Sequence, residues 1–193
     1  MKKLLALLTT LTLLLCCAAP ALAEENPRLF AAGYMAALDA IAGQAGVTLT
    51  WYVKPDYLPG YTLYACETLQ ARPTLICQEN TVVMLCTSIT YDPAEAPLEP
   101  EAYLGQFIVA LTPILTSQGM TVEEALDALL PLVNEDGFVE QAARVSQGGD
   151  WRFTILGYEA ALLYLHTETE DSATTQLCLY VYTAPDLMPG PTE

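Results

Sequence analysis

Apolar and polar positions along the chain fall into two similar blocks, each a helical pattern followed by strand-length runs. The first block opens at Pro27, a residue suited to the first turn of a helix, and continues to Gln44. Phe30, Tyr34, Leu38 and Ile41 fall near one face at helical spacing, and Gly46 supplies the stop. The alanines on the remaining sides predict close packing against something flat, a sheet. Val47–Lys54 is β-branched and aromatic and predicts the first strand, with Asp56–Gly60 as a proline-flanked loop. Tyr61–Ser88 then holds three short runs rich in Thr, Tyr, Val, Ile and Leu, joined at Leu69–Arg72 and at Glu79-Asn80. Its centre is apolar on both faces (Leu75, Ile76, Val82, Val83, Met84, Leu85), which predicts cover on both sides or a central place in the sheet.

Between the blocks, Thr90–Pro100 carries three prolines, several acids and no apolar period, the signature of a linker. Glu101–Ser117 predicts a helix that Pro113 kinks or ends, and Gln118-Gly119 breaks it. Thr121 followed by Glu124 is a capping box opening another helix, with Val122, Ala125, Leu126, Leu129 and Val133 as its stripe. Asn134–Gly137 stops it. A second meander follows as Phe138–Ser146, Trp151–Leu156, Glu159–His166 and Thr175–Thr183, with turns at Gly148–Asp150 and Gly157 and a polar loop at Thr167–Thr174. Ala184–Glu193 holds three prolines and reads as a loose tail. The expectation is an α+β fold, antiparallel sheet from two meanders with about three helices, forming a single domain over residues 24–183. The halves share a pattern and do not align by residue identity.

The first 23 residues change how the rest is read. Lys2 and Lys3, the apolar run Leu4–Cys17 and the Ala21-Leu22-Ala23 motif have the order of a signal peptide cleaved after Ala23. The apolar run is shorter than the roughly 20 residues a bilayer-spanning helix needs. Cys16 and Cys17 follow Leu15 and Cys16, not the small residue that lipoprotein processing prefers, so anchoring by lipid is disfavoured. Cleavage leaves five basic against 23 acidic residues, a net charge of −18. Such a chain lacks the cationic footprint that nucleic acid or an anionic membrane requires, and it has no further transmembrane candidate. The localisation expected is secreted or cell-envelope.

An exported chain with four remaining cysteines points to disulfides, with Cys66–Cys77 and Cys86–Cys178 as the favoured pairing of three possible. The competing reading is free, buried thiols acting as small hydrophobes, since all four sit inside apolar strands. Catalytic motifs are missing: the sequence has no G-x-S-x-G, H-E-x-x-H, phosphate-cradling glycine loop or paired C-x-x-C. The single histidine, His166, lies by Glu168 and Glu170, and a pairing with Cys178 across a hairpin is the one thiol-nucleophile arrangement available. The acid groups (Glu95, Glu99 and Glu101; Glu123, Glu124 and Asp127; Glu135 and Asp136; Glu168, Glu170 and Asp171) have no calcium-loop spacing and read as solvated faces and helix ends. Neither metal nor cofactor is expected. Trp51, Tyr52, Tyr57, Tyr61 and Tyr64 crowd one stretch, and such rings commonly form contacts with protein or carbohydrate.

Trp151–Tyr182 (WRFTILGYEAALLYLHTETEDSATTQLCLYVY) has a strand, a Gly-aromatic turn, a strand, a polar loop and an aromatic-rich strand. In this it resembles the C-terminal part of the PsbP/Mog1-like α+β fold. The resemblance implies a non-enzymatic accessory or binding protein. The functional expectation, resting on the signal peptide and the missing catalytic motifs, is an exported non-enzymatic binding or accessory module, with a secreted hydrolase using carboxylates or Cys178/His166 as the alternative.

Overall fold

The computed structural model describes residues 27–92, 99–135, 137–168 and 173–187. The expected leader, most of the expected linker, and the last residues of the tail lie outside them. Among the described residues, four α-helices and seven strands are present: α1 (Ala31–Gln44), β1 (Trp51–Leu58), β2 (Tyr61–Cys66), β3 (Thr74–Gln78), β4 (Thr81–Tyr91), α2 (Pro100–Ser117), α3 (Val122–Glu135), α4 (Phe138–Val145), β5 (Asp150–Ile155), β6 (Tyr158–Glu168) and β7 (Ala173–Tyr182). The architecture is α+β, as expected. Both meanders enter one antiparallel sheet in the order β1-β2-β3-β4-β7-β6-β5, so the last strands of the two blocks meet in the middle.

Strand alternation decides which residues the helices cover. Leu75, Leu85, Leu162, Leu177, Leu179 and Val181 point to one face and pack with Tyr34, Leu38, Phe107, Leu111, Ile114, Leu129 and Phe138 from all four helices. Each fully buried Leu or Phe there is worth roughly 1.5–3 kcal/mol of transfer free energy. On α1 the buried side is Ala31, Tyr34, Leu38 and Ala42, whereas Phe30 is 52% exposed. Ala32, Ala36 and Ala40 are exposed, so the alanines on the remaining sides do not form the expected contact with the sheet. The Tyr34 hydroxyl donates to the Val109 carbonyl of α2 at 3.2 Å, tying the two helices together.

Several elements differ from expectation. Phe138–Val145 is a helix, not a strand: Phe138, Ala142 and Val145 are buried at i, i+4 and i+7, Glu140 occupies the first turn and Arg144 the last. Phe138 anchors an aromatic group, 4.3 Å from Phe107 and within about 6 Å of the stacked pair Trp151–Phe153. The first strand begins four residues later than its sequence signal and runs through the expected loop to Leu58, with a register shift after Lys54 and Asp56 at φ +50°. Pro113 lies inside α2 without ending it. The capping box forms as expected: Glu124 accepts from the Thr121 backbone N–H at 2.8 Å, and Thr121 Oγ1 accepts from the Glu124 N–H at 3.2 Å. At the C-terminal side, Ala184 is buried and Pro185–Leu187 form a short 3-10 turn, held by Tyr61 Oη donating to the Leu187 carbonyl and by a two-pronged Arg28–Asp186 pair. That part of the expected loose tail is fixed.

Candidate interaction surfaces

The five aromatics singled out by sequence do not share one surface. Trp51 and Tyr64 are half-buried against the helix-side core, and the Trp51 indole N–H donates to Asp39. Tyr61 is buried beneath Ala184 on the other side. Tyr52 and Tyr57 remain exposed, at 49% and 41%. With them stand Val53 and Leu58, so four of the nine large hydrophobics exposed among the described residues lie on this one edge strand. Lys54 Nζ sits 5.4 Å from the Tyr57 ring centroid, a cation–π contact that holds the ring outward. Lys54, Pro55 and the bulge at Asp56 also blunt the strand edge against backbone pairing. What β1 offers is side chains.

The second candidate is the face of the sheet that the described helices leave uncovered. Its cross-strand rows follow from the register. One row runs Tyr52, Ala65, Thr74, Cys86, Tyr180, Ala161, Arg152; its neighbour runs Lys54, Leu63, Ile76, Met84, Tyr182, Glu159, Thr154. Beyond the first row lie Ser88, Cys178, Leu163 and Asp150, then Thr90, Gln176 and Leu165. The apolar cluster on this side is small, formed where Ala184 and Leu187 cover Tyr61 and Val83 at one corner. Sequence reading anticipated apolar residues on both faces of the first meander, but not that the described helices would cover only one.

All four described cysteines are free, which overturns the expected Cys66–Cys77 and Cys86–Cys178 bridges. Cys77 pairs with Thr62, while the Cys66 N–H bonds to the Pro73 carbonyl, four residues further along the ladder. That is roughly 13 Å of strand, well beyond the reach of a disulfide. Both thiols are buried under the helices, and burial pushes Cys77 up to about 12. Cys86 and Cys178 are diagonal neighbours on the open face, since Ser88 is the residue opposite Cys178. Diagonal positions stand roughly 7–8 Å apart, at the limit of disulfide geometry. The Cys86 thiol donates to the Thr87 carbonyl at 3.7 Å; the neighbouring Cys178 thiol, with burial, holds Cys86 well above its ordinary value, while the Cys86 thiol lowers Cys178.

Strand register also separates Cys178 from His166. His166 pairs with Thr175 and shares the helix-side parity with Tyr164, whereas Cys178 faces the other way opposite Leu163. The imidazole instead bonds Thr175 Oγ1 at 2.9 Å through Nδ1 and Glu168 at 3.2 Å through Nε2. Of the acid groups, Glu124 is spent on capping, and its carboxyl is lowered by the Thr121 backbone N–H and hydroxyl. Glu95, Asp136, Glu170 and Asp171 lie outside the described residues. Among those described, no three His, Cys, Asp or Glu side chains converge as a metal site. A hollow of about 260 Å³ opens between Leu69–Ala71, Ile89 and the start of α2, and a wider one of about 610 Å³ borders Arg28, Tyr158, Tyr182 and Asp186. Neither gathers a nucleophile with a base.

No helix among the described residues is long and apolar enough to cross a membrane. No family model, curated protein or solved structure matches the chain.

Proposed function

We propose that this chain is an exported, non-enzymatic binding module that docks a partner protein through the side chains of β1. The observation that carries this reading is the grouping of Tyr52, Val53, Tyr57 and Leu58, exposed together on one edge strand of an otherwise well-packed fold. Exposed apolar groups scattered singly are ordinary, but four aromatic and aliphatic side chains exposed along one edge strand, on both of its faces, favour a contact there, and tyrosines are favoured at such contacts. The signal-peptide pattern at residues 1–23 supports export, and the acidic surface favours a partner with basic residues around the contact. The resemblance of Trp151–Tyr182 to the PsbP/Mog1-like fold supports an accessory role. The alternative of a Cys178/His166 hydrolase is not favoured, because the two side chains occupy opposite faces.

A photo-reactive amino acid at Tyr57 tests the surface in the native host, with the same label at Leu130, an exposed position on α3, as control. Adducts to one defined protein from Tyr57 and not from Leu130 are expected. Equal labelling from both positions, or none, removes β1 as the docking site.

A further inference from the structure

We propose that Cys86 and Cys178 form a two-coordinate site for a soft monovalent cation, Cu(I) or its congener Ag(I), on the sheet face that the described helices leave uncovered. Strand register makes the pair. Tyr180 stands opposite Cys86 and Ser88 opposite Cys178, so both thiols belong to one face, on neighbouring strands, one step apart on the diagonal. β4 and β7 are interior strands of the sheet, so ladders on both sides hold the backbone beneath the pair. Cys86 is half-buried and open to a cation from solvent, while Cys178 beside it is nearly covered.

The spacing is too wide for a disulfide and suits a bridge with a metal in it. A disulfide sets its sulfurs about 2.05 Å apart and its Cα atoms usually about 5.5–6 Å apart. Diagonal strand positions stand roughly 7–8 Å apart. A cation in line between two thiolates, with metal–sulfur bonds of about 2.3 Å, sets the sulfurs about 4.6 Å apart. The added sulfur separation, about 2.5 Å, is close to the added width of the diagonal.

The neighbouring side chains select the cation. In register, Thr74, Met84 and Ser88 surround Cys86, Ser88, Leu163 and Gln176 surround Cys178, and Tyr180 adjoins both. None of them supplies a carboxylate or an imidazole, and among the described residues no three His, Cys, Asp or Glu converge. Zn(II) takes four such ligands, and Ca²⁺ takes six to eight oxygens, so neither is satisfied here. Two thiolates suffice for a soft monovalent cation. Met84 lies on the side of Cys86 away from Cys178, so its thioether is no third ligand. On binding, each thiol gives its proton to water, two metal–sulfur bonds form and the oxidation state of the cation is unchanged. The formal net charge of −16 draws cations to the chain. β1 lies three strands from β4, so this proposal and the proposed function fail separately.

Native mass spectrometry of the purified, reduced chain tests it, with Ag(I) as a redox-inert probe and with Cu(I) under anaerobic competition from a chromogenic Cu(I) chelator. One cation per chain is expected, with two protons displaced. Cys86→Ser and Cys178→Ala should each weaken retention by more than the roughly 10–100-fold that loss of an outer-shell partner costs. Cys66→Ala/Cys77→Ala, which removes the thiols buried under the helices, should leave retention unchanged. Circular dichroism checks that each variant is folded. Alkylation of the wild type needs no variant: Ag(I) should protect Cys86 from iodoacetamide. Failure of the wild type to hold Cu(I) against the chelator overturns the proposal, as do unprotected Cys86 and equal retention by Cys86→Ser and Cys178→Ala. Zn(II) held as tightly as Cu(I) overturns it too, and so does a chain recovered from its host with Cys86 joined to Cys178.

Discussion

At the scale of single residues, the cysteines show what spacing conveys and what it hides. Their number in a chain with an export signal favours bridges, yet bridging depends on register, and register is set by turns and bulges that sequence marks poorly. One bulge, between Ile76 and Cys77, places Val82 on the helix side and leaves Val83 on the other. Cys77 became a core residue, and this has a measurable consequence. Its thiol stays protonated in the folded chain up to about 12, whereas the unfolded chain ionises near 9. The stability it contributes is therefore complete below pH 9 and is lost as pH rises towards 12. Urea unfolding across that window should show a decline approaching 1.4 kcal/mol per pH unit from this group. Cys77→Val should flatten the decline; an unchanged slope in that variant would assign it elsewhere. Tyr34, also raised by its burial, adds its own loss from about pH 10 upward, and this part persists in Cys77→Val. The five candidate aromatics illustrate the same gap: their crowding was legible, but alternation sent Trp51 and Tyr64 inward and Tyr52 outward.

At the scale of elements, strong local signals translated directly. The capping box at Thr121, the tyrosine- and valine-rich runs of β2 to β4, and the turn glycines all formed where the pattern put them. The misread element is α4, where a short segment leaves periodicity little room to distinguish 3.6 from 2. Its identity matters because Phe138 is buried between α2 and the Trp151–Phe153 stack. Phe138→Ala should cost about 3–5 kcal/mol, from the lost transfer free energy and the cavity left behind. Chemical denaturation would register this as a lower midpoint, and a loss under 1 kcal/mol would mean that α4 is not docked as described. The β1 edge is a different matter. Sequence marked it as aromatic, but its being an edge is a property of the whole sheet, and only the strand order reveals that its side chains face solvent.

At the scale of the whole molecule, the α+β class was readable from the two helix-then-meander blocks. Their union in one sheet was not, because nothing local in β4 or β7 names its partner. The central β4–β7 ladder runs from Met84–Tyr182 to Tyr91–Thr175, and it makes the blocks one unit. Calorimetry should therefore show a single transition with matching calorimetric and van't Hoff enthalpies. Residues 27–92 expressed alone should remain unfolded, and two resolved transitions would mean the blocks are independent. The same ladder governs how the chain is made. Synthesis delivers β7 last, yet its place is in the interior of the sheet, beside a strand finished some eighty residues earlier. Until it arrives, β4 stands as an unguarded apolar border, a template for any other growing chain. A nascent or prematurely terminated chain ending before Ala173 is thus the dangerous form of this protein, and its concentration, more than the stability of the finished fold, sets the tendency to aggregate.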